Sequence, residues 1–255
     1  KPPKDPGASR GVDLWLLAAT FALLGLGLVM VYSSSAVAAE SRYKDALFFI
    51  RRDLAYVGVG LVALYLGFRL DVGFYKRYAY PILGVTVLAL VLLMIPGLGT
   101  RVDGAVRWFR FAGVSVQPSE PAKLALIIFL AATLARKQEV VKLLTIGFLP
   151  PLLMAGLVAV LVLKQPDLGT AAVLGSVTLV MLFVAGTKLS YLFITALICA
   201  PVAYHQIVGT PWRLRRVLAF LDPIGHRHDA GYQIYESFLS LGSGGLMGQG
   251  LGAGK

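Results

Sequence analysis

Long apolar stretches govern what this chain can fold into. They fall at residues 14–39, 54–68 with an upstream extension at 46–50, 78–100, 118–136, 143–163, 168–187 and 189–212. A helix needs about 20 mostly apolar residues to cross the hydrocarbon, because lipid offers no hydrogen-bond partner to an exposed backbone N–H or C=O. The fraction of hydrophobic residues is 57% and that of charged residues only 15%, against about half and a quarter in soluble domains. The predicted fold is therefore all-α: a polytopic integral membrane protein with about seven transmembrane helices in these 255 residues. The net charge is +11, but the basic residues sit between the apolar stretches, as membrane-surface charges do, so nucleic acid is excluded as a main partner. Cys199 is the single cysteine and lies inside an apolar stretch, which rules out a disulfide framework and a cysteine metal cluster within this chain.

The fourth stretch is the unusual one. Only 12 uncharged residues separate Lys123 from Arg136, so a spanning helix there must begin near Pro118 and carry Glu120 and Lys123 into or close to the bilayer. Pro96 and Gly97 are expected to end the third span, and the seventh to leave the bilayer near His205. Ala36-Val37-Ala38 resembles a signal-peptide cleavage site, but the apolar stretch before it is longer than a signal core and is read as a retained span. Residues 1–11 are read as a disordered tail or an artificial leader, 12–208 as the transmembrane bundle and 209–255 as an extracytoplasmic Arg/Gly-rich loop. With a cytoplasmic N-terminus the inner and outer segments would hold 10 and 13 Lys+Arg, so the positive-inside rule does not orient the chain. Arginines serving phosphate or carboxylate on functional loops would explain that parity.

Four segments carry the candidate chemistry. Residues 101–119 interleave basic and aromatic residues, and are expected to lie on the membrane interface with Trp108, Phe109 and Phe111 dipping in and Arg107 and Arg110 meeting headgroups or phosphate; an aromatic-belt anchor is the alternative. Gln117-Pro118-Ser119-Glu120-Pro121-Ala122-Lys123 is a helix start, with Ser119 as cap and Pro121 in the first turn. Glu120 and Lys123, three apart, share a face and can pair; intramembrane charges pair and mark sites, although such a pair can also merely fix packing. In Gln165-Pro166-Asp167-Leu168-Gly169-Thr170, Pro166 keeps Gln165 out of the helical region, so Gln165 and Asp167 are presented at a water-facing edge, or Asp167 simply caps the next helix. Past His205, an Arg cluster (Arg213, Arg215, Arg216) precedes a glycine-rich tract whose backbone N–H groups can approach a phosphate, or which is simply a flexible loop. Gly248, Gly250 and Ala253 formally fit a dinucleotide fingerprint, but no βαβ unit is available to hold it. His226 and His228 make no convincing metal site.

Read in order, the strings at 117–123, 165–170, 213–223 (Arg-Leu-Arg-Arg-Val-Leu-Ala-Phe-Leu-Asp-Pro) and Gly231-Tyr232-Gln233 leading into Leu241-Gly242-Ser243-Gly244-Gly245-Leu246 resemble the SEDS family (shape, elongation, division, sporulation) from about residue 12 to the end. The 216–223 stretch and the ending 248–252 look more like its division members than its elongation members. The resemblance implies a ten-helix peptidoglycan glycosyltransferase in the bacterial cytoplasmic (inner) membrane. It would polymerise lipid II, a polyprenyl pyrophosphate disaccharide, and work with a class B penicillin-binding protein. An acceptor hydroxyl would attack the donor's anomeric carbon as polyprenyl pyrophosphate leaves, with a carboxylate as base and cations near the leaving group. A divalent cation would assist that departure, but no ligand set is visible and no cofactor is assigned.

Carried over motif by motif, Glu120, Lys123 and Asp167 are the candidate catalytic residues. Arg107, Trp108, Gln117, Ser119, Gln165, Arg213, Arg216 and Gln233 are the candidate substrate-binding residues, with Arg213 and Arg216 toward pyrophosphate. The family's essential acid sits in a His-Thr-Asp-Phe motif after the Gly-Ser-Gly-Gly-Leu stretch. The chain ends before any such motif, and the family's last three helices are absent as well, so alone it is expected to be inactive. Two other functions fit an intramembrane charge pair with outer arginines: a lipid II transporter (flippase), and a non-catalytic scaffold that activates the penicillin-binding protein. Against the transporter, no inverted repeat is evident.

Overall fold

A computed structural model describes residues 13–102, 105–111 and 114–250. The leader 1–11 and the last part of the glycine-rich tract, including Gly252, Ala253 and Gly254, lie outside the described residues. The described chain is helical from end to end apart from one small sheet. Its elements are α1 (Leu14–Tyr43), α2 (Phe48–Arg69), α3 (Val72–Leu92), β1 (Thr100–Val102), β2 (Ala105–Phe111), β3 (Val114–Val116), α4 (Ser119–Arg136), α5 (Leu149–Leu163), α6 (Leu168–Val184), α7 (Leu189–Val208), α8 (Pro211–Leu221) and α9 (Tyr232–Gly244). Helices α1 to α7 follow the seven apolar stretches. By length and composition α1, the Leu144–Leu163 segment and α7 each suffice on their own to cross a membrane. The chain is an all-α, multi-pass membrane protein.

Two compact units form, one from residues up to Arg69 together with Arg215 onward, the other from Leu70–Leu214. In the first, α1 packs on α2. Asp13 caps α1 by accepting from the N–H groups of Trp15 and Leu16, and Lys44 ends it in the left-handed conformation. Asp45 accepts from the Leu47 N–H and pairs with Arg51 at 3.1 Å, which starts α2. Tyr43 stacks on Phe48 with ring centroids 4.0 Å apart. Segment 209–255, expected as a loop, carries α8 and α9. Pro211 opens α8 where its missing N–H costs nothing.

The second unit holds the core. Leu83 and Leu90 of α3 meet Ala122, Ala125, Leu126, Phe129 and Leu130 of α4, with Ala155, Val158 and Val162 of α5 and Ala171, Leu174 and Leu182 of α6. Three of those α4 and α6 residues are alanines, and small side chains let membrane helices approach closely. Before α5 comes a π-helical turn, Leu144–Phe148. Pro150 has no N–H for the carbonyl of Ile146, four residues back, and that carbonyl accepts instead from Lys137 Nζ at 2.9 Å. Gly147 packs so tightly there that a Cβ would collide with the Val140 carbonyl. At the same end Arg136 donates to the Lys76 carbonyl, tying α4 to the start of α3.

The segment between α3 and α4 corrects the interfacial-loop reading. It forms a three-stranded antiparallel sheet in the order β1-β2-β3, with Val102 opposite Ala105 and Arg110 opposite Ser115. Successive side chains of a strand point to opposite faces. Trp108 and Phe109 therefore cannot dip together: Arg107 shares a face with Phe109, and Trp108 with Arg110.

Candidate functional site

Polar side chains from four elements of the second unit meet at the end of the bundle where α4 and α6 begin. Asp167 is the N-cap of α6: Oδ1 accepts from the Thr170 N–H at 3.0 Å and Oδ2 from Thr170 Oγ1 at 2.9 Å. Two hydrogen bonds to one threonine fix its carboxylate. Gln117, on the approach to α4, donates through Nε2 to Ser119 Oγ at 2.9 Å and toward Asp167 Oδ2 at 3.5 Å. Segments fifty residues apart in sequence are thus joined through a single amide.

Ser119 does not cap α4. The cap position is Pro118, with no side-chain bond, and Ser119 is the buried first helical residue, its hydroxyl taken by Gln117. The first turn still closes, with Glu120 N–H on the Gln117 carbonyl and Ala122 N–H on the Pro118 carbonyl. Pro121 falls in that turn as expected. Glu120 and Lys123 form the ion pair that their spacing suggests, at 2.9 Å, with side chains 58% and 33% exposed. An ion pair this open is held by little net energy, about 0–1 kcal/mol. Its carboxylate and ammonium are available to other partners.

The turn between α5 and α6 is gripped from two sides. Arg107 of β2 donates through Nε to the Gln165 carbonyl at 2.9 Å and through Nη2 to the Pro166 carbonyl at 2.6 Å. Arg213 of α8 reaches the same Pro166 carbonyl through Nη2 at 3.2 Å, while its Nη1 donates to the backbone and side-chain oxygens of Gln206 at 2.9 and 2.8 Å. Arg213 is only 6% exposed, and its buried Nε has no acceptor. Gln165 is 4% exposed and points inward, donating to the Leu90 carbonyl at 3.4 Å. It does not stand at a water-facing edge, because the turn folds its side chain back onto α3.

The structure thus brings together Arg107, Gln117, Ser119, Gln165, Asp167 and Arg213, with Glu120 and Lys123 on the adjoining turn of α4. Trp108 is half-buried in β2, opposite Thr100. Arg216 and Gln233 are exposed on α8 and α9 in the other compact unit. Sequence reasoning missed two participants. Thr170 lay inside a motif already singled out, and an Asp three residues before a Thr is a capping pattern. Gln206 meets Arg213 across a helix–helix corner, for which no short-range signal exists. Among the described residues no group of three or more His, Cys, Asp or Glu is placed to hold a metal ion. An apolar hollow of about 340 Å³, lined by Ala131, Ala135, Val180 and Met181 among others, lies toward the opposite ends of α4 and α6.

Comparisons with known proteins bear on this arrangement. The family described as cell cycle proteins, of the FtsW, RodA and SpoVE type, matches residues 14–255. A probable peptidoglycan glycosyltransferase FtsW from Trichlorobacter lovleyi is 42% identical over 243 residues, covering 95% of this chain and 64% of its own length. Stage V sporulation protein E of Bacillus subtilis is 35% identical over 240 residues, covering 94% and 66%. The chain therefore spans about two thirds of the length of these relatives. A solved peptidoglycan synthase complex, described as coordinating polymerization and crosslinking, superposes with a TM-score of 0.62 at 29% identity, over 87% of this chain and 65% of that one. The rod-shape-determining protein RodA of Thermus thermophilus shares the fold, with a TM-score of 0.51 at 22% identity over 89% and 86%. With the motifs, the helices and the match to nearly the whole chain in agreement, the chain belongs to the FtsW/RodA/SpoVE cell cycle protein family.

Proposed function

We propose that this chain is the lipid-binding and site-forming part of a peptidoglycan glycosyltransferase, which polymerises lipid II in the bacterial cytoplasmic membrane alongside a class B penicillin-binding protein. The observation that carries the reading is the convergence of Gln117, Ser119, Asp167 and the Glu120–Lys123 pair at one end of an otherwise apolar bundle. It is supported by relatives named as peptidoglycan glycosyltransferases. Such a cluster is costly inside lipid unless a polar ligand uses it.

In this reading the donor's prenyl chain lies in lipid against the apolar helices, and its disaccharide rests over the start of α4. Lys123 supplies positive charge where the pyrophosphate gathers negative charge on leaving. Glu120 holds that ammonium in place, and Asp167 with Gln117 orients sugar hydroxyls. Trp108, Arg216 and Gln233 are assigned to substrate contact. A general base near the acceptor hydroxyl completes the chemistry; the SEDS resemblance assigns that role to the acid of a His-Thr-Asp-Phe motif, a string that these 255 residues do not contain.

Purified full-length protein in proteoliposomes with labelled lipid II tests the assignment. Glycan ladders on a gel are the expected result. Movement of label between leaflets without ladders would make the protein a transporter, and neither outcome would leave a scaffold.

A further inference from the structure

We infer that Arg107 and Arg213 are a pair of positioning residues, a two-sided clamp on the α5–α6 turn that holds Asp167 against Gln117, and that the buried Arg213 does not meet the pyrophosphate directly. The inference deepens the glycosyltransferase reading and rests on it for its kinetic consequence, though not for its geometry.

The argument is an accounting of donors. A carbonyl oxygen has two lone pairs, so Pro166 can accept from both arginines at once, and it does so at 2.6 and 3.2 Å. Arg107 also donates through Nε to the Gln165 carbonyl, so its Nε and Nη2 are both engaged by the turn while Nη1 keeps its own donors. Arg213 has Nη1 on two oxygens of Gln206 and Nη2 on Pro166. The one nitrogen it has left, Nε, is buried with no acceptor. A phosphate oxygen cannot reach a donor that has no surface, so the arginine acts on the protein. Lysine would not serve as well, because a point charge on a flexible stem cannot bridge Gln206 and Pro166 with a planar fork.

The clamp also explains an otherwise exposed dependency. Asp167 follows Pro166 directly, and its reach to Gln117 is the longest bond of the cluster at 3.5 Å. Any slackening of the turn loses that bond first. Through Gln206 and Arg213, the corner between α7 and α8 sets the position of the Pro166–Asp167 turn, 47 residues before Arg213 in the chain, so displacement of that corner is transmitted to the site.

Two measurements on the full-length protein decide the matter. In the first, Arg213→Met is expected to lower kcat for lipid II polymerisation about 10–100-fold, the loss typical of a small misplacement at a reacting centre, with KM within about twofold of wild type. Arg213→Lys should recover part of the rate. A raised KM at unchanged kcat would mean direct substrate contact and would overturn the inference. The second needs no activity. With Cys199→Ala removing the native thiol, Gln165→Cys places a reporter at the buried turn. Its labelling by a membrane-impermeant maleimide should accelerate about tenfold or more when Arg213→Met, Arg107→Met or Gln206→Leu is added, because local opening becomes easier. Unchanged labelling in all three would overturn the clamp. If the wild-type protein makes no glycan, the polymerase reading fails while labelling still decides the clamp, and Gln206→Leu keeps the test open should Arg213→Met fail to insert.

Discussion

Helices α1 and α4 both lie on stretches that the sequence marks as membrane spans, yet they live in opposite surroundings. Of the 30 residues of α1 only Ala39 is buried, whereas nine of the 18 residues of α4 are, from Ser119 to Leu134. Side chains such as Trp15, Leu23 and Leu26 on α1 stand largely exposed among the described residues. Those of α4 pack against α3, α5 and α6. Hydropathy therefore locates a span without saying whether it faces lipid or protein. The distinguishing marks of α4 are its alanines and the polar residues at its start.

The largest expected difference between the two helices is in stability. Leu126→Ala empties fully buried space at the centre of the core and should cost about 2–5 kcal/mol. Leu23→Ala on α1, at a position 69% exposed, should cost under about 1 kcal/mol, because little buried area is lost. Thermal unfolding in detergent measures both; equal losses would erase the distinction. Glycines sharpen it next. Gly147→Ala forces a Cβ into the Val140 carbonyl and should cost about 1–3 kcal/mol. Gly58→Ala in α2 has open space around it and should be neutral or stabilising by about 0.5–1 kcal/mol. A matching loss at Gly58 in the same unfolding assay would count against the packing described for α2.

How far the sequence foretold this depends on the length of the signal. Seven helices were legible because each lies on an apolar stretch, although only α1, the Leu144–Leu163 segment and α7 reach on their own the run of about 20 apolar residues that a bilayer demands. The sheet was not. Both faces of β2 mix polar and apolar residues, Arg107 with Phe109 on one and Trp108 with Arg110 on the other, so the two-residue alternation that announces a strand is missing. The remaining clue was the Asp103-Gly104 pair between β1 and β2, a strong hairpin signal. Helix α8 is hard to see in the sequence because Arg213, Arg215 and Arg216 interrupt its apolar residues, whereas on an eleven-residue amphipathic helix three arginines place one of them inward. At the site, Glu120 with Lys123 and the Asp167 cap could be read from spacings of three. The contacts from Gln117 to Asp167 and from Arg213 to Pro166 join residues 50 and 47 apart, and no local pattern encodes them.

Smaller stability effects separate the two kinds of polar contact within the site. Asp167→Ala removes a cap with two bonds to Thr170 and should cost about 1 kcal/mol, visible as a lowered unfolding temperature. Lys123→Met breaks only an open ion pair and should cost at most about 0.5–1 kcal/mol. In the proposed function its effect falls on polymerisation instead.

That substitution is the most direct test of the account. Full-length protein carrying Lys123→Met, inserted in the membrane at the wild-type level and given labelled lipid II, is predicted to make no glycan ladder while its unfolding temperature stays close to that of the parent. Ladders of wild-type length and rate would contradict the assignment of the α4 start as the place where the pyrophosphate leaves.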